Sequence, residues 1–251
     1  MATQQINRII EKLDWKAVEA ALFNTERADS DPGFEVCEAS LETWERYDKS
    51  EYQALKSRAM TFEGGKLYIV ELPSGIHEVF LGLLDFAVLT ATGTGTQHLQ
   101  SCRSTYVESL RKLEPDCSFG PTFGVGAVCP TGMTWSEYHT LKVEVGISRG
   151  WPCLDRKADR WREYPGVEFI LCIRLSRTLR IRQYKLYTMD NRANPLPQMN
   201  PVAIINPTDI TFNSRRLLGL VGRRRIPPGF SRPNVVLDLI LLIEILMQRI
   251  Q

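Results

Sequence analysis

The sequence has little of what several common classes of protein need. Its three histidines and six cysteines are scattered through 251 residues, with no CxxC pair and no spacing suited to zinc. No uninterrupted run of about 18 apolar residues is present, so we expect neither a membrane span nor a membrane partner. Charges stand where a signal peptide would be apolar. We therefore expect reduced thiols in an intracellular protein, either cytoplasmic or nuclear.

Charge is divided unevenly along the chain, although the formal net charge is only +2. Residues 1–60 carry 12 acidic and 8 basic residues, whereas residues 171–232 carry 12 basic and 2 acidic ones. The basic excess could face a polyanion, or it could pair with the acidic N-terminal region. Arg223, Arg224 and Arg225 form a basic loop that could bind phosphates of a nucleic acid. A nuclear-import-like patch and simple solubility are the alternatives for this triplet.

The N-terminal residues 1–60 predict helices. Residues 6–23 form two short amphipathic segments separated at Asp14, a residue type that caps helices. Residues 39–60 space apolar residues at roughly the helical period. We predict a helical N-terminal appendage over residues 1–62, which could contact a second copy of the chain or another protein.

From residue 63 to residue 251 the pattern predicts an α/β domain. The predicted strands cover 66–73, 97–110, 112–121, 138–148, 167–176 and 179–189, and the predicted helices cover 76–93, 154–164 and 234–250. The nearly continuous apolar centre of 138–148 is typical of a central strand covered on both faces. We expect a mixed central sheet flanked by helices, with a βαβ crossover over 138–176. The glycine-rich loop 123–133 lacks phosphate-binding spacing and could be a flap.

Two acidic residues are notable for their surroundings. Asp116 follows Pro115 near the start of a predicted strand, and Glu144 lies inside the apolar central strand. A carboxylate in a buried strand needs a partner, a metal ion or a shifted pKa. Lys142, two residues earlier on the same strand face, could be that partner. For Asp116, a turn position after proline is the alternative to a role as a metal ligand.

These residues belong to the segments KLEPDCSFGP and LKVEVGIS, which are followed by LDRKADRW. Together the segments resemble the restriction-endonuclease-like superfamily, the PD-(D/E)xK nucleases. They are most similar to an uncharacterised fungal branch with an EPDxSF strand, an EVGxS strand and a helix ending in an Arg-Trp pair. The resemblance covers residues 65–240 as an order of elements and residues 111–176 in its motifs. It implies a restriction-endonuclease-like core and leaves the first 60 residues outside.

The resemblance also implies roles for individual residues. Asp116 and Glu144 would hold Mg²⁺ or Mn²⁺. The lysine of the superfamily normally lies two residues after the second acid, where this chain has Gly146, but related branches place it on the following helix, as Lys157 is placed here. Lys157 could equally be a solvated residue of a charged helix. Glu78, on the first core helix, would support the metal site, although a glutamate in a first helical turn is favourable in any case.

Three functions follow as hypotheses. The first is a metal-dependent nuclease in which Asp116 and Glu144 hold Mg²⁺ and Lys157 positions the water that attacks the phosphodiester. The second is a catalytically inactive protein of the same fold that binds nucleic acid or a protein, which Gly146 favours. The third is a protein-interaction module whose working surface is the N-terminal helices.

Overall fold

The computed structural model describes residues 2–24, 31–72, 74–107, 113–190, 192 and 194–250. Its N-terminal part contains three helices and a small antiparallel sheet. These elements are α1 (Ala2–Glu11), α2 (Trp15–Leu22), β1 (Phe34–Glu38), α3 (Leu41–Asp48), β2 (Met60–Glu63) and β3 (Lys66–Ile69), with strand order β1-β3-β2. Asp14 caps α2 by accepting hydrogen bonds from the backbone N–H groups of Lys16 and Ala17, as its position predicted.

The prediction that residues 1–60 are helical is wrong in two places. Residues 34–38 form strand β1, and residues 49–56 lie outside any helix because α3 ends at Asp48. The helical spacing holds over Leu41–Asp48, which forms α3, and fails beyond it, where Tyr52 is 82% exposed. Both β1 and β2 pair with β3, so the small sheet contains strands from both sides of the predicted boundary between residues 62 and 63.

The centre of the molecule is a mixed sheet, as predicted; it has six strands, and the predicted strand over 66–73 lies instead in the small sheet as β3. The strands of the central sheet, in spatial order, are β4 (Leu99–Ser101), β5 (Cys117–Pro121), β6 (Leu141–Gly146), β7 (Phe169–Leu175), β8 (Arg182–Thr188) and β9 (Val202–Ala203). β6 and β7 are parallel, and the other neighbours are antiparallel. Residues 108–112, which include the end of one predicted strand and the start of the next, lie outside the described residues.

Helices cover both faces of this sheet. The remaining elements are α4 (Gly75–Ala91), α5 (Trp151–Arg162), α6 (Ser214–Leu217), α7 (Leu239–Arg249) and the antiparallel pair β10 (Asp209–Asn213) and β11 (Asn234–Asp238). Val143 and Val145 pack with α4 and α7 on one face, whereas α5 packs on the other. Strand alternation therefore turns Lys142 and Glu144 toward α5. The predicted crossover β6–α5–β7 is confirmed, since the two strands are parallel and adjacent.

The predicted helix over 234–250 begins only at Leu239. Residues 234–238 form β11, in which Val235 and Leu237 are buried and Val236 is exposed. Asp238, a polar interruption in the apolar run, is the N-cap of α7 and accepts hydrogen bonds from the first backbone N–H groups of that helix. A strand and a capped helix thus share one apolar stretch.

Candidate active site

Asp116 and Glu144 meet where β5 begins and β6 ends. Cys117 pairs with Val143 across the two strands, and continuing this register places Asp116 opposite Glu144. Both carboxylates are buried. Oδ2 of Asp116 accepts a hydrogen bond from the backbone N–H of Val145 at 2.8 Å. This bond holds the Asp116 carboxylate against β6 beside Glu144.

Lys157 reaches the same place from helix α5. Its Nζ lies 2.6 Å from Oε2 of Glu144. One turn later, Nε1 of Trp161 donates a hydrogen bond to Oε1 of Glu144 at 2.6 Å. Because residues four apart share a helix face, α5 engages both oxygens of Glu144. The structure therefore brings together Asp116, Glu144 and Lys157.

Gly146 lies two residues after Glu144, at the position where the motif resemblance led us to expect a lysine. A Cβ atom on Gly146 would lie 3.0 Å from the backbone oxygen of Arg149 and 3.3 Å from Cδ1 of Leu154. The turn between β6 and α5 folds back over this position and leaves little room for a long side chain. A lysine that contacts Glu144 must therefore come from another element, and α5 supplies Lys157.

Arg149, in the turn between β6 and α5, is a member of the site that was not predicted from the sequence. Its Nη1 lies 3.6 Å from Oδ2 of Asp116 and 3.7 Å from Oε2 of Glu144. Its Nη2 donates to the backbone oxygen of Arg58 at 2.9 Å, which ties the site to the N-terminal part. The guanidinium is buried, and although burial lowers its pKa, the charges of Asp116 and Glu71 outweigh this and raise the pKa. Arg149 is thus a permanent cation between the two acids.

Glu71 is a second unpredicted member, and it holds the turn that carries Arg149. Its carboxylate accepts hydrogen bonds from the backbone N–H of Ile147 at 2.9 Å and from the hydroxyl of Ser148 at 2.8 Å. The backbone N–H groups of Ser148 and Arg149 also point at it, at 3.2 and 3.4 Å. A glutamate at the end of an apolar strand run was the only available signal in the sequence.

His77, and not Glu78, is the residue of helix α4 that reaches Asp116, while Oε1 of Glu78 lies 3.2 Å from Nδ1 of His77. Glu78, the predicted supporting ligand, has a side chain that is 57% exposed and lies 3.8 Å from Nη2 of Arg58. His77 is buried, and its Nε2 lies 3.8 Å from Oδ2 of Asp116. Successive residues on a helix point in different directions, so only one of the two can face the sheet. The structure places His77 beside Asp116 and leaves Glu78 at the surface.

Burial and charge set the protonation of the two acids. Burial raises the pKa of Asp116, but Arg149, Lys157 and His77 together outweigh burial and hold that pKa well below its usual value. For Glu144, burial raises the pKa to about 7; Lys157 opposes the rise, and the charge of Asp116 adds to it. The pair therefore carries one permanent negative charge and a second that forms near neutral pH.

Unpartnered polar atoms concentrate in this site. Within the described residues, five buried side-chain atoms lack a hydrogen bond, and all belong to this cluster: Nε2 of His77, Oδ1 of Asp116, Oε2 of Glu144, Nε of Arg149 and Nζ of Lys157. Oε2 of Glu144 and Nζ of Lys157 lie within ion-pair distance of each other, yet the angles between them do not meet those of a hydrogen bond. Buried polar groups left in this state are typical of sites that hold an ion, water or substrate.

The donor chemistry of the pair fits Mg²⁺ or Mn²⁺. Asp116 and Glu144 each have a carboxylate oxygen without a hydrogen bond, and Mg²⁺ is usually held by one or two carboxylates together with waters and substrate phosphates. A protein cage of three or more His, Cys, Asp or Glu side chains is not present among the described residues. The two-carboxylate arrangement therefore fits, and Arg149 and Lys157 are the cations with which a metal would compete.

Lys142 does not pair with Glu144. Its Nζ is hydrogen-bonded to Nδ1 of His139 and lies 4.0 Å from the centroid of the Trp161 ring. Nε2 of His139 lies 2.8 Å from the backbone oxygen of Ser136. A neutral imidazole that donates through Nε2 and accepts at Nδ1 satisfies both contacts. Lys142 was the alternative partner suggested for Glu144, but the residues that contact the Glu144 carboxylate are Lys157 and Trp161.

The arginine triplet lies at the other end of the central strand. Arg223, Arg224 and Arg225 are exposed on a turn that follows Leu217 and α6. The hydroxyl of Thr140, just before β6, donates to the backbone oxygen of Leu217 at 2.5 Å. The acid pair, by contrast, is at the carboxyl end of β6. The structure does not bring the triplet to the site, and phosphate binding by these arginines stays a prediction.

Comparisons of the chain with protein-family models, curated proteins and solved structures gave no significant match. Among the described residues, no helix is long and apolar enough to cross a membrane. The arrangement of Asp116, Glu144, Lys157 and Arg149 is therefore the basis for a functional conclusion.

Proposed function

We propose that this protein hydrolyses phosphodiester bonds of nucleic acid with the help of Mg²⁺ or Mn²⁺, on a restriction-endonuclease-like core. The observation that carries the proposal is the 2.6 Å approach of Lys157 Nζ to Glu144 Oε2, beside Asp116. The chain lacks a lysine at the usual strand position, yet its fold brings a lysine to the acid pair from the next helix. Two acids and a lysine in one buried site are what such a hydrolysis requires.

Each residue has a part in the reaction. Asp116 and Glu144 would hold the metal ion, which when bound supplies positive charge and a more acidic water. Lys157 orients the attacking water and offsets the negative charge that develops on the phosphate. Trp161 keeps Glu144 directed at Lys157 through its indole N–H. The water oxygen forms a bond to phosphorus as the water loses a proton, the bond to the leaving oxygen breaks, and the leaving oxygen takes up one proton, so that the two proton transfers balance.

One observation favours a second function, that of an inactive nucleic-acid-binding protein. The guanidinium of Arg149 lies within 3.7 Å of both carboxylates and balances their charge without a metal ion. A buried cation in that place can hold the fold together while no chemistry occurs. Under this alternative, the cluster stabilises the structure, and its residues have no effect on a cleavage reaction.

The test is cleavage of labelled single- and double-stranded DNA and RNA by the purified protein, with Mg²⁺, Mn²⁺ or EDTA. We expect cleavage that needs the metal and that falls by at least about 10²-fold in Asp116→Asn and in Glu144→Gln. Glu244→Gln is the matched control, since Glu244 is exposed on α7, on the opposite face of the sheet from the site, and is not expected to change the rate.

Equal cleavage by wild type and both acid variants would place the activity elsewhere and contradict the assignment. Absence of cleavage on every substrate, together with measurable binding of nucleic acid, would instead support the inactive alternative.

A further inference from the structure

A pocket of about 240 Å³ opens beside the acid pair, between the N-terminal part and helix α5. Arg149 and Lys157 line its inner end and connect it to Asp116 and Glu144. Arg58, Trp44 and residues of β2 form the opposite wall. The N-terminal part therefore completes the pocket that leads to the proposed reaction site.

One face of α5 supplies positive charge to this pocket. Arg160 follows Lys157 by three residues and Arg156 by four, so it neighbours both on the helix surface, and all three line the pocket. Arg160 is exposed, and Arg156 contacts Glu63 in a half-exposed pair at 3.2 Å, which is a weak interaction at a surface. The pocket is lined by five cations (Arg58, Arg149, Arg156, Lys157 and Arg160) and two acids (Asp48 and Glu114). Arg149 and Lys157 face the acid pair and Arg58 lies 3.9 Å from Glu114, so the charge available to phosphates is that of Arg156 and Arg160.

Aromatic rings lie in the same pocket. Trp44 and Tyr106 both line it and are partly exposed. Aromatic side chains next to arginines are the arrangement on which unpaired bases stack while the backbone phosphates bind to the cations. The pocket thus combines a surface for a base with a row of charges for phosphates.

The size of the pocket restricts what can enter. Its volume lies just below the usual range for small-molecule sites, roughly 300–1,000 Å³. It accommodates one nucleotide-sized group, and a base inside a paired and stacked duplex cannot reach such a site without leaving the stack. The acid pair at its inner end is buried, so a duplex lying on the surface would not contact it.

We propose that this pocket binds one unpaired nucleotide and that the substrate is single-stranded nucleic acid, DNA or RNA. The base stacks on Trp44 and Tyr106, and Arg156 and Arg160 bind the phosphates. This inference rests on the proposed hydrolysis for its place in a reaction, but the binding itself is measurable without cleavage.

The test is fluorescence anisotropy in EDTA with the full-length protein and four short labelled probes: single-stranded DNA, single-stranded RNA, a blunt duplex, and single-stranded DNA with abasic sites. We expect at least one of the intact single strands to bind about tenfold or more tightly than the duplex. The abasic probe should bind roughly fivefold to 150-fold more weakly than the intact strand for each stacked base that is lost. Equal affinities for the intact, abasic and duplex probes would overturn the inference.

Variants locate the binding. Each lost phosphate contact lowers the slope of log Kd against log salt concentration by about 0.7 for single strands. We therefore expect Arg160→Ala to lower the slope by about 0.7 and the Arg156→Ala, Arg160→Ala double variant by about 1.4. Arg180→Ala, which removes an exposed arginine outside the pocket, should leave the slope unchanged. An equal effect of Arg180→Ala would overturn the assignment.

A second pair of variants, Trp44→Leu and its control Trp15→Leu, tests whether the base stacks on Trp44. Trp44→Leu should weaken binding of the intact strand and leave binding of the abasic probe almost unchanged, whereas Trp15→Leu, at an exposed position on α2, should change neither. Thermal unfolding shows whether each variant is folded. Single-strand binding without any cleavage in Mg²⁺ or Mn²⁺ would support the pocket and contradict the proposed hydrolysis. Cleavage of a duplex without binding of single strands would support the proposed hydrolysis and contradict the binding of an unpaired nucleotide in the pocket.

Discussion

At the scale of single residues, Glu144 shows how burial and neighbouring charge give a carboxylate its chemistry. Burial raises its pKa to about 7, and Lys157 limits the rise. A group that gains its charge near neutral pH can bind a metal ion at physiological pH and release a proton as it does so. The sequence indicated that Glu144 needed a partner. Which residues are its partners depends on the side chains that α5 directs at the strand, and these are Lys157 and Trp161.

Replacing Lys157 with Met is expected to lower kcat by about 10² to 10⁴-fold, since it removes the group that orients water and offsets charge. The positive charge of Lys157 lowers the pKa of Glu144, so its loss raises that pKa further. The pH–rate profile of the variant should therefore rise at a higher pH than that of the wild type. Lys157→Arg should recover part of the rate. An unchanged profile in Lys157→Met would contradict the role.

His139 should make the protein sensitive to acid. Burial first, and then the charge of Lys142, lower its pKa from 6.5 to about 3 in the folded protein. A neutral buried histidine contributes stability that is fully present above pH 6.5 and is lost as the pH falls toward 3, by up to about 1.4 kcal/mol per pH unit. Between pH 6.5 and 4.5, we expect His139→Gln to lose about 2 kcal/mol less than wild type in urea unfolding. If the free energy of unfolding falls equally with pH in wild type and in His139→Gln, His139 does not cause the sensitivity to acid.

At the scale of elements, the turn between β6 and α5 is built on Glu71. The carboxylate binds three successive backbone N–H groups, those of residues 147–149, and so fixes the direction in which Arg149 enters the site. Periodicity predicted the strand and the helix on either side of this turn. It carried no information on the turn itself, because the residue that orders it lies more than 70 positions earlier in the chain.

Glu71→Ala is expected to reduce the free energy of unfolding by about 3 kcal/mol, since it leaves backbone N–H groups without their acceptor and removes a carboxylate that lies 3.7 Å from the buried guanidinium of Arg149. Urea unfolding measures the change. Glu244→Ala is the matched control, because that side chain is exposed on α7 and should alter stability by less than about 0.5 kcal/mol. Similar losses in both variants would show that Glu71 does not order the turn.

At the scale of the whole molecule, the N-terminal part and the sheet are joined through charged groups. Arg149 donates to the backbone of Arg58, and Arg177 is paired with Glu19. The latter contact is an instance of the basic C-terminal half pairing with the acidic N-terminal region. Both the active-site cations and the pocket wall thus depend on how these parts pack.

Metal binding should stabilise the whole fold. At a metal concentration 100 times Kd, the gain is about 2.7 kcal/mol, seen as a rise in Tm with Mn²⁺. Glu144 keeps its proton in the folded protein up to about pH 7, against an ordinary value of 4.5, so without metal it loses stability as the pH rises from 4.5 to 7. Metal must displace that proton, so the rise in Tm should be larger at pH 8 than at pH 6. Asp116→Asn should abolish it, and a rise retained in this variant would place the metal elsewhere.

The sequence by itself determined the α/β class and most strands and helices of the core, because burial patterns are local properties, and the resemblance of two short motifs indicated the two acids and a lysine on the next helix. It did not determine β1 or β11, since short apolar stretches fit a helix or a strand until a partner strand is known. Only the tertiary structure decided that Glu71, His77 and Arg149 surround Asp116 and Glu144. These contacts join residues far apart in the chain, and packing alone brings them together.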